Sequence, residues 1–277
     1  MKKIFNYLVM FLAVVLIVGF FTALFSDKNN TINNDTTLEH FTSEDSESNN
    51  NSNDSNQNFS SFVYFAFGDS ITYGSDCYNG LAQMDDPYPS LVASDLHLKS
   101  YNNFGVVAST IATDVVNTNN YTLPSIYDCV LDANSGADII SVMGGVNDYN
   151  TNVELGTIED VSTTTFYGSL NAICKELKTK YPESFIFFMT PYKEFPYQQT
   201  TCDTENEKGY ILEDYANAIK VVCGMYSIPV LDMFTYGNYE IEFSSNGSDG
   251  IHPSQEFIRE YTAPQIAEFI RQNYRGK

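Results

Sequence analysis

The sequence predicts an α/β domain built on a parallel sheet with helices on both faces. Three observations carry that reading. Short apolar runs alternate with longer amphipathic ones, and several short runs are apolar at every position, as strands buried on both faces must be. Polar residues then collect where the apolar runs end, and ligands of open parallel sheets bind at the carboxyl ends of the strands.

Phe62–Phe67 reads as a strand ended by Gly68, and Tyr88–Leu96 as a helix with Leu91, Val92 and Leu96 on one face. Lys99–Phe104 is a weaker strand ended by Gly105, whereas Ala137–Met143 is unbroken apolar chain closed by Gly144-Gly145. Thr164–Lys180 is a helix stopped by Pro182, and Ser184–Met189 a strand closed by Thr190-Pro191. Glu207–Met225 is a helix, Ile228–Phe234 a strand and Ser254–Tyr274 the last helix, which makes five strands. No internal repeat is present.

Of the 277 residues, 1–25 are almost purely apolar and 26–60 almost purely polar, leaving residues 61–277 as the folded domain. Lys2 and Lys3 precede an uncharged run from Ile4 to Phe25, long enough to cross a membrane as a helix. An uncleaved anchor is the expectation and a removed signal peptide the alternative, because Phe21 or Phe25 falls where a cleavage site wants a small side chain. Lysines before the run and acidic residues after it orient the N-terminus to the cytoplasm and the domain to the outside. Residues 26–60 hold ten Asn and few large apolar groups, the composition of a flexible, disordered tether in which His40 is inert.

Net charge is -21, and the domain itself carries 11 basic against 28 acidic residues. So acidic a surface repels anionic polymers and anionic lipid, so nucleic acid is excluded as a partner and membrane contact is left to the N-terminal helix. The five cysteines show no framework spacing. Cys174 and Cys223 lie on apolar helical faces and read as buried free thiols, while one bridge among Cys77, Cys129 and Cys202 remains open. No C-x-x-C occurs, so no metal site and no cofactor is expected.

The candidate site comes from the strand ends. Ser70 follows Gly68-Asp69 at the tip of the first strand, and a serine hydroxyl needs a base to become a nucleophile. His97 ends a helical pattern and reads as a surface residue. His252 lies in Asp249-Gly250-Ile251-His252-Pro253, a turn that can bring the Asp249 carboxylate onto one ring nitrogen and fix the tautomer. Candidate oxyanion donors are the backbone N–H of Ser70, that of Gly105 in Asn103-Phe104-Gly105, and the side-chain amide of Asn147 in Gly144-Gly145-Val146-Asn147-Asp148. Each segment alone is ordinary turn chemistry, and their common order at strand ends sets them apart.

Phe67-Gly68-Asp69-Ser70-Ile71-Thr72, together with the segments around Gly105, Asn147 and His252, resembles the four sequence blocks of the GDSL, or SGNH, hydrolases, over nearly all of residues 61–277. The resemblance implies a flavodoxin-like three-layer α/β/α sandwich on a five-stranded parallel sheet. It also implies metal-free ester hydrolysis through an acyl-serine, with Ser70, Asp249 and His252 as triad and Ser70, Gly105 and Asn147 as oxyanion hole. The Gly-x-Ser-x-Gly elbow of the α/β-hydrolases is absent, since Thr72 stands where its second Gly would be.

For the substrate, the family spans carbohydrate, lipid and thioester chemistry. Export favours an extracellular ester. Tyr73, Tyr78, Tyr149, Tyr192 and Tyr197 near the expected rim could stack on sugar rings, although the chain has no Trp. A carbohydrate O-acyl (acetyl) esterase is the expectation. Hydrolysis of short-chain lipid or lysophospholipid is the alternative, and an inactive cell-surface binding module the alternative of another class.

Overall fold

The computed structural model describes residues 57–134, 136–193, 203–235 and 249–276, with the side chain of Cys77 left out. The anchor and nearly all of the tether, with His40, Tyr197 and Cys202, lie outside the described residues. Among those described, no helix is long and apolar enough to cross a membrane.

Five parallel strands form one sheet: β1 (Val63–Gly68), β2 (Ser100–Gly105), β3 (Ile139–Met143), β4 (Phe185–Met189) and β5 (Val230–Leu231). Their spatial order is β2-β1-β3-β4-β5, the flavodoxin-like winding in which the chain reverses direction between β1 and β3. Register aligns the strand ends. Gly68 pairs with Gly105 of β2 on one side and Met143 of β3 on the other, so three strands end in one row.

Side-chain alternation along β1 builds the two outer layers. Phe65 and Phe67 point into a core closed by α3 (Ile126–Asp132), α5 (Phe166–Lys180) and α6 (Leu212–Met225). Tyr64 and Ala66 point into the opposite core, closed by α2 (Tyr88–Asp95) and the C-terminal helix α7 (residues 255–273). The molecule is thus a three-layer α/β/α sandwich. Two short helices stand at the sheet's carboxyl edge: α1 (Ser70–Tyr73) and α4 (Val146–Asn150).

Four departures from the sequence expectation have a physical cause that the structure shows. Helix α6 starts at Leu212 and not at 207, because Gly209 adopts φ +81 and the Asp214 carboxylate accepts the Ile211 N–H to cap a new start. The fifth strand shrinks to Val230–Leu231 because Pro229 lacks an N–H and the Asp232 side chain takes the Phe234 and Thr235 N–H groups. Helix α7 runs as Gln255–Phe257, a π turn over Ile258–Thr262, and Ala263–Asn273. The π turn sits against Pro264, which has no N–H to continue an α ladder, and Ala263 reaches back to Ile258.

The fourth difference is the domain edge. Phe59, read as tether, is only 5% exposed and packs edge-on against Phe62 and Tyr274, with centroids 5.4 and 5.6 Å away. Phe185 adds a fourth ring at 6.1 Å from Tyr274. Phe59, outside the expected 61–277, thus packs with the domain. Phe59→Ala should lower unfolding free energy by about 3 kcal/mol, read from the urea midpoint of the full chain; an unchanged midpoint would mean that this aromatic clasp contributes nothing.

Candidate active site

Helix α1 is short because both ends are fixed locally. Asp69 caps it through Oδ1, which accepts the Ile71 N–H at 2.9 Å, and Gly74 ends it in the left-handed region at φ +90. Ser70 is then the first helical residue. Its N–H, one of the first-turn donors a helix leaves unused, has no partner among the described residues.

The turn before α7 folds onto this serine. Asp249 Oδ1 accepts the backbone N–H groups of Ile251 and His252, at 3.0 and 2.8 Å, so the turn closes around its own carboxylate. Oδ2 of the same group lies 2.7 Å from His252 Nδ1, and His252 Nε2 lies 2.8 Å from Ser70 Oγ. An ionised carboxylate only accepts, so Nδ1–H donates to Asp249 and Nε2 is left to accept the Ser70 hydroxyl proton. Burial works against the Asp249 charge, but the His252 ring and the two N–H groups outweigh it and hold the carboxyl below its ordinary value. Ser70 and His252 are 5% and 9% exposed, enclosed yet reachable.

The three expected oxyanion donors fare differently. Asn147, half-buried on the first turn of α4, donates one amide N–H to Ser109 O at 2.8 Å and retains the other. The left-handed φ of +116 at Gly145 starts α4 at the angle that places it there. Gly105 is a correction. Its N–H is donated to Asn103 Oδ1 at 2.9 Å, and a Cβ at this position would lie 2.1 Å from the Tyr73 backbone nitrogen. Its missing side chain lets β2 and α1 touch, and Asn103 strengthens that contact by donating to Thr72 O at 2.8 Å. A residue that the sequence did not flag stands in the same loop. Ala108 holds φ +62, unusual for a residue with a Cβ, and its N–H has no partner among the described residues.

Beneath the site lie features that a linear reading missed. Thr72 Oγ1 meets Tyr88 OH at 3.0 Å and Tyr64 OH meets Ser141 Oγ at 2.7 Å, all four buried. Asp69 and Asp148 are also buried. Burial pushes Asp69 up to about 6, against the pull of the Ile71 N–H and the His252 ring. It pushes Asp148 up to about 7, against the Ala112 and Ile111 N–H groups.

The other candidate side chains scatter between core and surface. Tyr149 and Tyr192 are buried and bonded, to Thr204 O and Thr262 Oγ1, so neither lines a rim; Tyr73 is half-buried and Tyr78 is 61% exposed. His97 is exposed at the left-handed end of α2. Cys174 and Cys223 are buried free thiols, and Cys129 is also free, which removes it from the bridge left open among Cys77, Cys129 and Cys202. Among the described residues, no group of three His, Cys, Asp or Glu side chains could hold a metal ion.

A family model for GDSL-like lipases and acylhydrolases matches residues 66–257. Among solved structures, a protein from Lactobacillus plantarum is similar at 26% identity and TM-score 0.65, over 78% of this chain and 99% of that one. A possible lipase from Chitinophaga pinensis follows at 22% identity and TM-score 0.56, over 76% and 98%. A carbohydrate acetylesterase family member from Sinorhizobium meliloti is similar at 17% identity and TM-score 0.52, over 76% and 98%. The last two show the fold alone. No curated protein matches the chain.

The buried carboxyls give stability a defined pH slope. Both Asp69 and Asp148 bind a proton more tightly folded than unfolded. From about pH 4 to about pH 7 the folded chain therefore holds more protons, and stability falls as pH rises. The lowered Asp249 acts oppositely, but only below about pH 4. The melting temperature should be higher at about pH 5 than at about pH 8, and Asp148→Asn should flatten that slope. A melting temperature that climbs across this interval would contradict the assignment.

Proposed function

The chain belongs to the GDSL-like lipase/acylhydrolase family and is a carboxylic ester hydrolase, and we propose that it works through an acyl-serine on Ser70, removing O-acyl, chiefly acetyl, groups from carbohydrate. The observation that carries the mechanism is the unbroken contact series Asp249–His252–Ser70, at 2.7 and 2.8 Å.

His252 Nε2 takes the Ser70 proton as Oγ attacks the ester carbonyl, and Asp249 supports the imidazolium that forms. The Ser70 N–H and the free amide N–H of Asn147 stabilise the tetrahedral oxyanion. The Ala108 N–H takes the place expected of Gly105: it is unpartnered among the described residues, and the next residue, Ser109, is the one that Asn147 grips. His252 then returns its proton to the departing alcohol. Water, activated by the same ring, attacks the acyl-serine, and the acid leaves.

Tyr73, one turn beyond the nucleophile, and the exposed Tyr78 support a substrate with flat ring faces to stack on. A domain this acidic suits a neutral sugar ester better than an anionic headgroup. We place the domain outside the cell, held by residues 1–25; the lysines that precede Ile4–Phe25 support that orientation.

The test uses the purified full chain on chromogenic acetyl, butyryl and octanoyl esters and on an acetylated polysaccharide. Ser70→Ala should abolish turnover with the fold intact, and Asn147→Ala should lose on the order of 10²-fold in kcat. Acetyl should be preferred over octanoyl, with acetate released from the polymer. An octanoyl preference without acetate release would move the substrate to lipid, and full activity in Ser70→Ala would remove the mechanism.

A further inference from the structure

Asp148 has no part in the acyl transfer, yet it is fully buried and both its oxygens face one loop. Oδ2 accepts the Ile111 N–H at 2.8 Å and Oδ1 the Ala112 N–H at 2.9 Å. Its neighbour Asn147 holds Ser109 O at 2.8 Å. Two consecutive side chains of α4 thus grip positions 109, 111 and 112 of the loop after β2.

The two grips differ in what they decide. A primary amide is planar, so anchoring one N–H of Asn147 to Ser109 O fixes where the other one points. The direction of that second N–H depends on where Ser109 O sits. Ser109 anchors itself poorly: its hydroxyl is buried with no hydrogen-bond partner, and its N–H makes a local turn to Val106 O at 3.1 Å. Asp148 holds the loop two residues further on, accepting two backbone N–H groups where the turn at Ser109 has one.

We propose that Asp148 is a positioning residue, which clamps Ile111 and Ala112 so that Ser109 O aims the free N–H of Asn147 at the carbonyl bound over Ser70. This rests on Asn147 being an oxyanion donor. Such a role calls for a carboxylate. An amide of the same shape has one acceptor only, and its NH₂ would face one of the two backbone N–H groups and push the loop away.

The test is a double-mutant cycle on kcat with a chromogenic acetyl ester, using the full chain as wild type, Asn147→Ala, Asp148→Asn and the pair. Asp148→Asn alone should lower kcat by about tenfold or more while KM moves less, since only transition-state contacts are displaced. In the Asn147→Ala background the same change should cost less than about threefold, because the donor it aims is gone. Losses that multiply in the pair, or an unchanged kcat in a folded Asp148→Asn, would overturn the proposal while leaving Asn147 as a donor. An unimpaired Asn147→Ala would remove the donor reading and this proposal together. Should Asp148→Asn fail to melt cooperatively, Asp148→Ser replaces it in the cycle. If neither variant folds, the carboxylate serves stability alone and the proposal fails.

Discussion

Everything at the site depends on the register of β1 between its two neighbours. Parallel pairing places Gly68 beside Gly105 and Met143 in one row, so the chain leaves three adjacent strands at the same height. The segments beyond those ends, Asp69-Ser70, the loop through Ala108 to Ala112, and Gly145 to Asp148, must therefore meet. A slip of one residue in β1 would turn Phe65 and Phe67 out of their core and carry Ser70 to the wrong face. Hydrophobic burial on both faces of the sheet thus sets the position of Ser70.

On that platform Asp249 closes its own turn and also meets the His252 ring, so one carboxylate does both. Asp69 and Asp148 are committed to backbone N–H groups, one capping α1 and the other tying down the loop after β2. Two buried carboxyls in a chain of net charge -21 oppose one another and the rest of the field. Asp148 accepts two N–H groups of one loop, one on each oxygen, which an apolar side chain of the same size could not do.

Glycine and tyrosine show how the same residue type divides between packing and function. Gly105 lacks a side chain so that a strand can touch the nucleophile helix, and its N–H is already taken by Asn103. Ala108 adopts the left-handed backbone that glycine would hold more easily, in the loop that faces Asn147. Of the four described tyrosines expected near the strand ends, Tyr149 and Tyr192 belong to the core, whereas Tyr73 is half-buried and Tyr78 exposed.

Linear pattern was enough to reveal the sheet and its five strands, and it pointed to Ser70 and His252, which the fold brings into contact. Short apolar runs closed by glycine or proline suit buried strands, and Asp249-Gly250-Ile251-His252 is a contact between near neighbours that a turn closes. Composition could not show that Phe59 packs with the domain, because its partners Phe62 and Tyr274 include one over two hundred residues away. The helix start at Leu212, the π turn before Pro264 and the short β5 came from local hydrogen-bond competition that periodicity averages away. The use of the Gly105 N–H by Asn103, the burial of Tyr149 and Tyr192, and the grip of Asp148 on Ile111 and Ala112 arose only in three dimensions. Whether an N–H is free, or a ring exposed, depends on what distant segments bring against it, and no pattern along the chain records that.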